Sequence, residues 1–501
     1  MTDITIIKRD ELFVTLDASP SIWYELRDVF AFRPDGYKFM PAFKHGTWDG
    51  YIRLIDLRNR ALYAGLIPEL IKWAKEQGYS ITVDKSAGSL ITQFDDVEQF
   101  LDNWSDVMKF EPYDYQANAV ERALSLNKAL ILSPTGSGKS AIAHLIVQYL
   151  LIHTKYKILI TVPTTQLVEQ LCKDFADYMP DGTTFIDPHK VYNGKEKYTD
   201  NRVVISTWQS MIKMPAEYFS QFDAYICDEA HQADGKSITK IIENLSATAK
   251  IRIGMTGTLD GTKCHAMQLR GLFGPIIKTQ STKELMDGGQ LSGLKIQTHI
   301  LRYKKKPATE NDYQREIDYI VTNESRMQYV NSLAMQSKGN TLVLFNFVDK
   351  HGKPLYNSAL GIASQYGKEV FYISGETSIE QREIIREKFA TQNNVILFAS
   401  FGTFSAGINA PNIHNLILAH PGKARIRTLQ SIGRVLRKMQ GKAHATLYDI
   451  GDDFSPKAKS KNHSYNHLLA RLEIYEAERF DYSVKTVEFD NEQLCGQGSL
   501  A

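Results

Sequence analysis

From about residue 109 onward, apolar residues fall into short unbroken runs separated by amphipathic stretches. The runs Lys157–Val162, Arg202–Ser206, Ala224–Asp228 and Lys250–Met255 are too short for helices and too uniformly apolar for half-exposed strands. They are predicted as strands buried on both faces. Stretches with helical spacing, Asp114–Leu126 and Gln166–Tyr178, lie between them, and Ala129–Leu151 reads as a strand, a glycine loop and a helix. Strands apolar on both faces, alternating with helices, predict a parallel sheet covered by helices on its two sides.

The pattern pauses at the glycine-containing turn Asp287–Ser292 and then resumes. Thr341–Phe347, Val370–Ser374, Val395–Ala399, Asn415–Leu418 and Ala445–Asp449 are the strands of a second α/β series. Before residue 109 the texture differs. β-like runs (Ile4–Ile7, Tyr51–Leu57, Ser80–Val83) mix with helix-like ones (Ile22–Phe30, Ile67–Gln77), as in a small α+β unit. The stretch from about Lys457 reads as partly helical and then irregular. The expected organisation is an α+β domain over 1–108, α/β domains over 109–290 and 291–455, and a partly helical extension over 456–501.

Composition changes this picture little. A chain of 501 residues is too long for one core and fits about three domains. A net charge of +2 predicts that any surface for a polyanion is local. Cys172, Cys227, Cys264 and Cys495 are widely spaced, without metal-ligand or redox spacing. The first residues lack the apolar core of a signal peptide, and no apolar run is long enough to span a bilayer, so a cytoplasmic location is expected.

Three segments carry chemistry. The first is Ser133-Pro134-Thr135-Gly136-Ser137-Gly138-Lys139-Ser140, between strand and helix. Such a loop turns backbone N–H groups toward phosphate, and the helix dipole favours the negative charge. Lys139 is expected to neutralise ATP phosphates, and the Ser140 hydroxyl to ligate Mg²⁺. The usual pattern has glycine where this chain has Ser133. The second segment, Tyr225-Ile226-Cys227-Asp228-Glu229-Ala230-His231, is an apolar strand ending in two acids. Asp228 suits the metal and Glu229 suits a general base for the attacking water. The third is Gln430-Ser431-Ile432-Gly433-Arg434-Val435-Leu436-Arg437, in the acid-free stretch Lys423–Lys442. Arg434 and Arg437, three apart on an expected helix, can face one cleft and stabilise charge on a transferring phosphoryl group. Alternatively the segment is a basic surface helix.

In order and content these segments resemble the motifs of superfamily-2 helicases. Tyr113-Asp114-Tyr115-Gln116, Val162–Gln166, Ser206–Gln209, Thr256-Gly257-Thr258, Leu344–Phe347 and Ala399–Asn409 extend the match. The resemblance implies two tandem RecA-like domains that bind ATP and Mg²⁺ between them. It places Gln116 at the adenine and His231, Gly407 and Gln430 in the nucleotide site. Thr164, Thr165, Thr207, Trp208 and Gln209 fall on the face that holds the tracking strand. Many relatives have Asp where this chain has Asn409. The stretches Leu26–Asp28, Asp35–Phe39 and Gly46–Leu54 are similar to the N-terminal domain of the UvsW family of phage recombination helicases. That likeness implies work on forks, Holliday junctions and R-loops in the host cytoplasm, beside replication and recombination proteins.

Between Arg33 and Arg60 six basic side chains face three acidic ones, with Tyr37, Phe39, Phe43 and Trp48 interleaved. Lys38, Lys44, Trp48 and Arg53 are candidate DNA contacts, with aromatics stacking on exposed bases. The alternative is that these aromatics fill a small core. The run Arg302–Lys306 reads as a solvated loop. The stretch Lys457–Arg471 lines a duplex or forms a linker. RNA helicases, restriction motors and non-hydrolysing DNA clamps are the competing functional readings.

Overall fold

The computed structural model describes residues 2–34, 36–88, 94, 96–183, 188–234, 236–259, 262–307, 309, 312–405, 412–422, 425–439, 442–455 and 461–490. The chain forms two compact units, one of Met1–Pro134 and Gly138–Gln280, the other of Ser281–Ala501 with Thr135–Ser137.

The first unit opens with an α+β module. Strands Ile4–Lys8 and Phe13–Ala18 pair antiparallel in a five-stranded sheet with Ile55–Asp56, Ala61–Tyr63 and Ile81–Val83. Alternation decides which side is covered: Ile4, Ile6, Val14 and Leu16 are fully buried. Helices Pro20–Val29 and Ile67–Gln77 contribute Leu26, Leu70 and Ala74 to the same core. Each carries proline in its first turn. The second ends at Gly78, whose φ of 81° is the left-handed stop that glycine adopts without strain.

The module is seated on the motor part of its unit through Glu11. The Glu11 carboxylate meets Lys8 at 2.6 Å and the buried Lys128 at 3.2 Å. Its backbone N–H donates to Ser246 O, and its carbonyl accepts from Arg252 Nη2 at 3.2 Å. Burial pushes Lys128 down to about 8, with Arg252 adding to the effect. Nearby, Arg270 Nη1 donates to Glu69 Oε1 at 2.7 Å. Gly65 lies so close to Arg270 that a Cβ there would sit 2.1 Å from the Arg270 carbonyl oxygen.

The motor part is a seven-stranded parallel sheet. Its order is His189–Val191, Val203–Thr207, Ile158–Val162, Ala224–Cys227, Ile251–Thr256, Lys128–Leu132, Ile276–Lys278. Every residue of the strands Ile158–Val162, Val203–Thr207, Ala224–Cys227 and Ile251–Thr256 is buried, as their continuous apolar character predicts.

The second unit is another seven-stranded parallel sheet: Glu369–Ile373, Val395–Ser400, Thr341–Phe345, Asn415–Leu418, His444–Asp453, Gly293–Tyr303, Tyr482–Phe489. The last strand corrects the sequence reading, which left the chain after the final helix irregular. Tyr482–Phe489 is an edge strand with mostly exposed residues, so it lacks the buried run that marks the others. It also explains part of the basic run. Arg302 pairs with Glu488 at 3.1 Å and Lys304 with Asp490 at 3.4 Å across the strand pair. No helix among the described residues is long and apolar enough to cross a membrane.

Candidate active site and nucleic-acid interface

The glycine loop leaves the carboxyl end of strand Lys128–Leu132 and enters helix Lys139–His153. Gly136 and Gly138 have φ of 89° and 81°, which only glycine adopts cheaply. A Cβ on Gly138 would also sit 2.4 Å from Gln116 Nε2. Serine at 133 fits because it is built into the sheet end. Its N–H donates to Thr256 O, and its hydroxyl accepts from Thr279 Oγ1 at 3.0 Å. Lys139 Nζ donates to the Ser133 and Pro134 carbonyls at 3.3 and 3.5 Å, so the ammonium lies along the loop. Ser140 Oγ and Tyr178 OH share a hydrogen bond of 2.7 Å. Gln116 is buried, and its Oε1 accepts from Tyr113 N at 3.0 Å in a capping box on helix Asp114–Leu126. Tyr113, half exposed, stacks on Tyr115 at 5.6 Å and presents a flat apolar face beside that glutamine.

Two strands away in the same sheet, Ala224–Cys227 ends in Asp228 and Glu229. Asp228 N donates to Thr161 O, and Asp228 Oδ1 accepts from Glu229 N at 2.9 Å. Glu229 has φ of 51°, an uncommon backbone state for a side-chain-bearing residue and one that concentrates at functional sites. Burial, reinforced by the neighbouring Glu229, pushes the Asp228 carboxyl up to about 6, while Lys139 pulls it back.

His231 wires this strand end to the next. Its Nδ1 lies 2.9 Å from Thr256 Oγ1 and 3.2 Å from Glu229 Oε2. Thr256 Oγ1 spends its proton on Thr258 O at 2.9 Å, so it must accept from His231, which places the ring proton on Nδ1. His265 Nε2 lies 3.0 Å from His231 O and holds the turn from the other side. No local pattern in the sequence marks His265 as part of this network.

Thr207 ends its strand, and Thr164 follows by two residues the end of the adjacent parallel strand, where Val162 lies opposite Thr207. Each caps a helix: Thr164 Oγ1 accepts from Leu167 N, and Thr207 Oγ1 from Ser210 N. Gln209 Nε2 donates to Pro163 O at 3.0 Å and ties the two loops together. Thr165 and Gln209 are exposed. Trp208 packs against the core cluster that includes Met211 and Phe219, so its ring serves the support of this surface.

Core filling does not account for the aromatic-basic segment. Tyr37, Phe39, Phe43, Trp48 and Tyr51 all escape burial, and Phe39 is 78% exposed. They sit on the short helices Tyr37–Phe39 and Pro41–Lys44 and beside the strand Ile52–Arg53. Arg33 lies over the rings of Tyr37 and Tyr51 at 4.8 and 4.4 Å. Lys44 lies 6.0 Å from the Phe39 ring, and Lys38 and Lys44 are exposed. Arg53 is paired with Asp49, and Trp48 Nε1 donates to Tyr51 O, so these two residues brace the segment.

In the second unit, Gln430 and Arg434 lie on helix Arg425–Val435. Arg434 Nη1 donates to Phe404 O, with the guanidinium 5.3 Å from the Phe404 ring. Arg437 is not on that helix, contrary to expectation, because the helix stops at Val435. There the buried Lys442 Nζ donates to the carbonyls of Val435 and Arg437, taking up groups that a longer helix would bond internally. Burial pushes Lys442 down to about 8. Gly407 lies outside the described residues.

Two parallel α/β sheets, a phosphate loop, an Asp-Glu-Ala-His strand end tied to Thr-Gly-Thr, and an arginine helix in the second sheet define the class of superfamily-2 helicases. Residues 109–261 match the family described as the res subunit of type III restriction enzymes, and residues 325–439 match the helicase conserved C-terminal domain. Residues 3–84 match the N-terminal domain of the DNA helicase UvsW. The ATP-dependent DNA helicase UvsW of Enterobacteria phage T4 is 38% identical over 508 residues, which cover 97% of this chain and 99% of that protein. A crystal structure of T4 UvsW superposes with a TM-score of 0.51 at 35% identity, covering 97% of this chain and 100% of that one. A putative HsdR subunit fragment from Vibrio vulnificus YJ016 shares the fold, with a TM-score of 0.58 at 18% identity over 84% of this chain and 74% of its own. This chain belongs to the UvsW helicase family and is an ATP-hydrolysing helicase.

Proposed function

We propose that this chain is a DNA motor that remodels branched DNA, unwinding, migrating or annealing forks, Holliday junctions and R-loops. The observation that carries the reading is the half-buried Asp228–Glu229 pair wired through His231 to Thr256 and Thr258. It supports a hydrolytic centre whose state is felt at a neighbouring strand end. Lys139 holds the phosphates of ATP and Gln116 the adenine, along the glycine loop Pro134–Ser140. Glu229 takes a proton from the attacking water. Arg434, Arg437 and Gln430 stabilise charge on the transferring phosphoryl group.

The donor set also suits Mg²⁺. A half-buried carboxyl held up at about 6 beside a second acid is short of positive charge, and Asp228 with the Ser140 hydroxyl would hold the cation. When bound, the metal neutralises charge that develops on the phosphates.

Thr164, Thr165, Thr207 and Gln209, with the helix N-termini they adjoin, hold a tracking strand through phosphate contacts that read no sequence. Lys38 and Lys44, with the exposed Phe39 and the braced Trp48 and Arg53, engage unpaired bases at a branch point. A relative that covers 97% of this chain is a phage DNA helicase, which supports action in a host cytoplasm on DNA intermediates.

The test is ATPase rate and strand remodelling on single-stranded DNA, forked DNA, Holliday junctions and RNA. The reading expects the largest stimulation with branched DNA. Stimulation by RNA alone would overturn it.

A further inference from the structure

The turn Ala419-His420-Pro421-Gly422 follows strand Asn415–Leu418, and helix Arg425–Val435 begins three positions further along the chain. Three backbone carbonyls of this turn are held by side chains from distant elements. Ala419 O accepts from Arg326 Nη1 at 2.8 Å, and Gly422 O accepts from Arg471 Nη1. His467 Nδ1 lies 3.1 Å from Pro421 O. Both arginines are only 1% exposed, and each is locked by a fully buried aspartate of strand His444–Asp453. Arg326 makes a fork with Asp452 at 2.6 and 3.0 Å, and Tyr303 OH donates to the same carboxylate. Arg471 meets Asp449 through Nε and Nη2 at 2.7–3.0 Å, with Tyr475 OH donating to that carboxylate.

Buried ion pairs are a poor source of stability, because desolvation takes back most of what attraction gives. What these two pairs supply is direction, since each fixes a guanidinium whose remaining arm ends on the same four-residue turn. A cavity of about 530 Å³, lined by His420, Gly422, Thr428, His467 and Arg471, lies beside the turn. Close packing therefore does not hold it on that side, and hydrogen bonds do.

His467 and Arg471 belong to helix His463–Ala477, which is itself anchored. The fully buried Glu316 carboxylate accepts from His463 N, Ser464 N and Ser464 Oγ at 3.0–3.2 Å and caps the helix in place of a local residue. Buried cations thus hold the turn before helix Arg425–Val435 and, through Lys442, the carbonyls of Val435 and Arg437 at its end.

We infer that the C-terminal helix His463–Ala477 is a positioning element for ATP hydrolysis, with Arg471 and His467 setting where the arginines of the second unit stand. This rests on the reading of Arg434 and Arg437 as groups that act on the phosphoryl. Arg471 touches no nucleotide in this scheme and works through the turn and the helix.

Arg471→Lys in the full chain is the test, because lysine keeps a charge for Asp449 but cannot serve Asp449 and Gly422 O together. The expected result is kcat for DNA-stimulated ATPase about 10-fold lower, with the dissociation constant for a fluorescent ATP analogue within about two-fold of the parent. In an Arg434→Ala/Arg437→Ala background the same change should lower kcat by less than about two-fold, because both side chains it acts through are already gone. A similar loss in both backgrounds, or parental kcat in Arg471→Lys, overturns the inference. Normal kcat in Arg437→Ala would instead overturn the reading of the arginines. If Arg471→Lys fails to fold, His467→Ala is measured in the same way, and the same outcomes decide.

Discussion

Replacing Asp228 by Asn should make the nucleotide-free protein more stable while ending hydrolysis. Asp228 is a half-buried carboxyl beside a second acid, with its affinity for a proton raised from an ordinary 3.8 to about 6. A shift of roughly two units at 1.36 kcal/mol each is about 3 kcal/mol of destabilisation near neutral pH. The sign follows from proton uptake. Between the two values the folded state binds more protons than the unfolded chain, so stability falls as pH rises from about 4 to about 6 and stays low above it. Asparagine carries no charge, and its Oδ1 can still accept from Glu229 N. The pull of Lys139 is already contained in that shift. The net expectation is about 1–3 kcal/mol, or several degrees in Tm. Thermal unfolding of both proteins in chelator, at about pH 4.5 and about pH 7.5, measures it. The variant's advantage should grow at the higher pH and shrink when Mg²⁺ and ATP are added to both proteins, because the binding site stabilises the parent only. A variant less stable than the parent at about pH 7.5, or an advantage independent of pH, would refute this account of the acid pair.

Three other expectations test separate parts of the structure. Glu11→Gln leaves the buried Lys128 without its carboxylate, although the backbone bond to Arg252 stays, so it should cost about 2–4 kcal/mol and speed proteolysis of the N-terminal module. Burial alone would raise the Glu11 carboxyl, but Lys8 and Lys128 outweigh it and hold the group below its usual value, so the difference from the parent should fade as acid protonates Glu11. Gly138→Ala puts a Cβ at 2.4 Å from Gln116 Nε2 on a left-handed backbone, and should weaken nucleotide binding more than 10-fold in a fluorescent-nucleotide titration, with circular dichroism unchanged. Phe39→Ala should leave Tm within about a degree, since the ring is 78% exposed, but weaken forked-DNA binding by about 1–3 kcal/mol in fluorescence anisotropy.

The fold was legible where one physical signal dominated. Strands such as Ile158–Val162 are covered on both faces, and an unbroken apolar run has few other uses. Tyr482–Phe489 was missed because an edge strand in water needs little apolar character. Chemistry that depends on adjacent residues, as in Ser133–Ser140 or Asp228–Glu229, could be read directly. Its supports could not. His265 reaches His231 across 34 positions, and Arg326 reaches Asp452 across 126, through topology that no spacing encodes. Ser133 broke a pattern for a reason visible only in the folded chain, where Thr279 occupies its hydroxyl. Aromatics between Tyr37 and Tyr51 read more readily as core than as surface, because composition alone does not say which rings find a partner, and none of the five is buried.

The central claim is that Glu229, beside the phosphate loop, drives a DNA motor. ATP turnover and strand remodelling on one forked DNA substrate, for the parent and for Glu229→Gln, test it most directly. The account predicts that the variant still binds ATP and the fork, while turnover falls by at least 10²-fold and remodelling stops with it. Turnover within a few-fold of the parent, or remodelling that continues without hydrolysis, would contradict it.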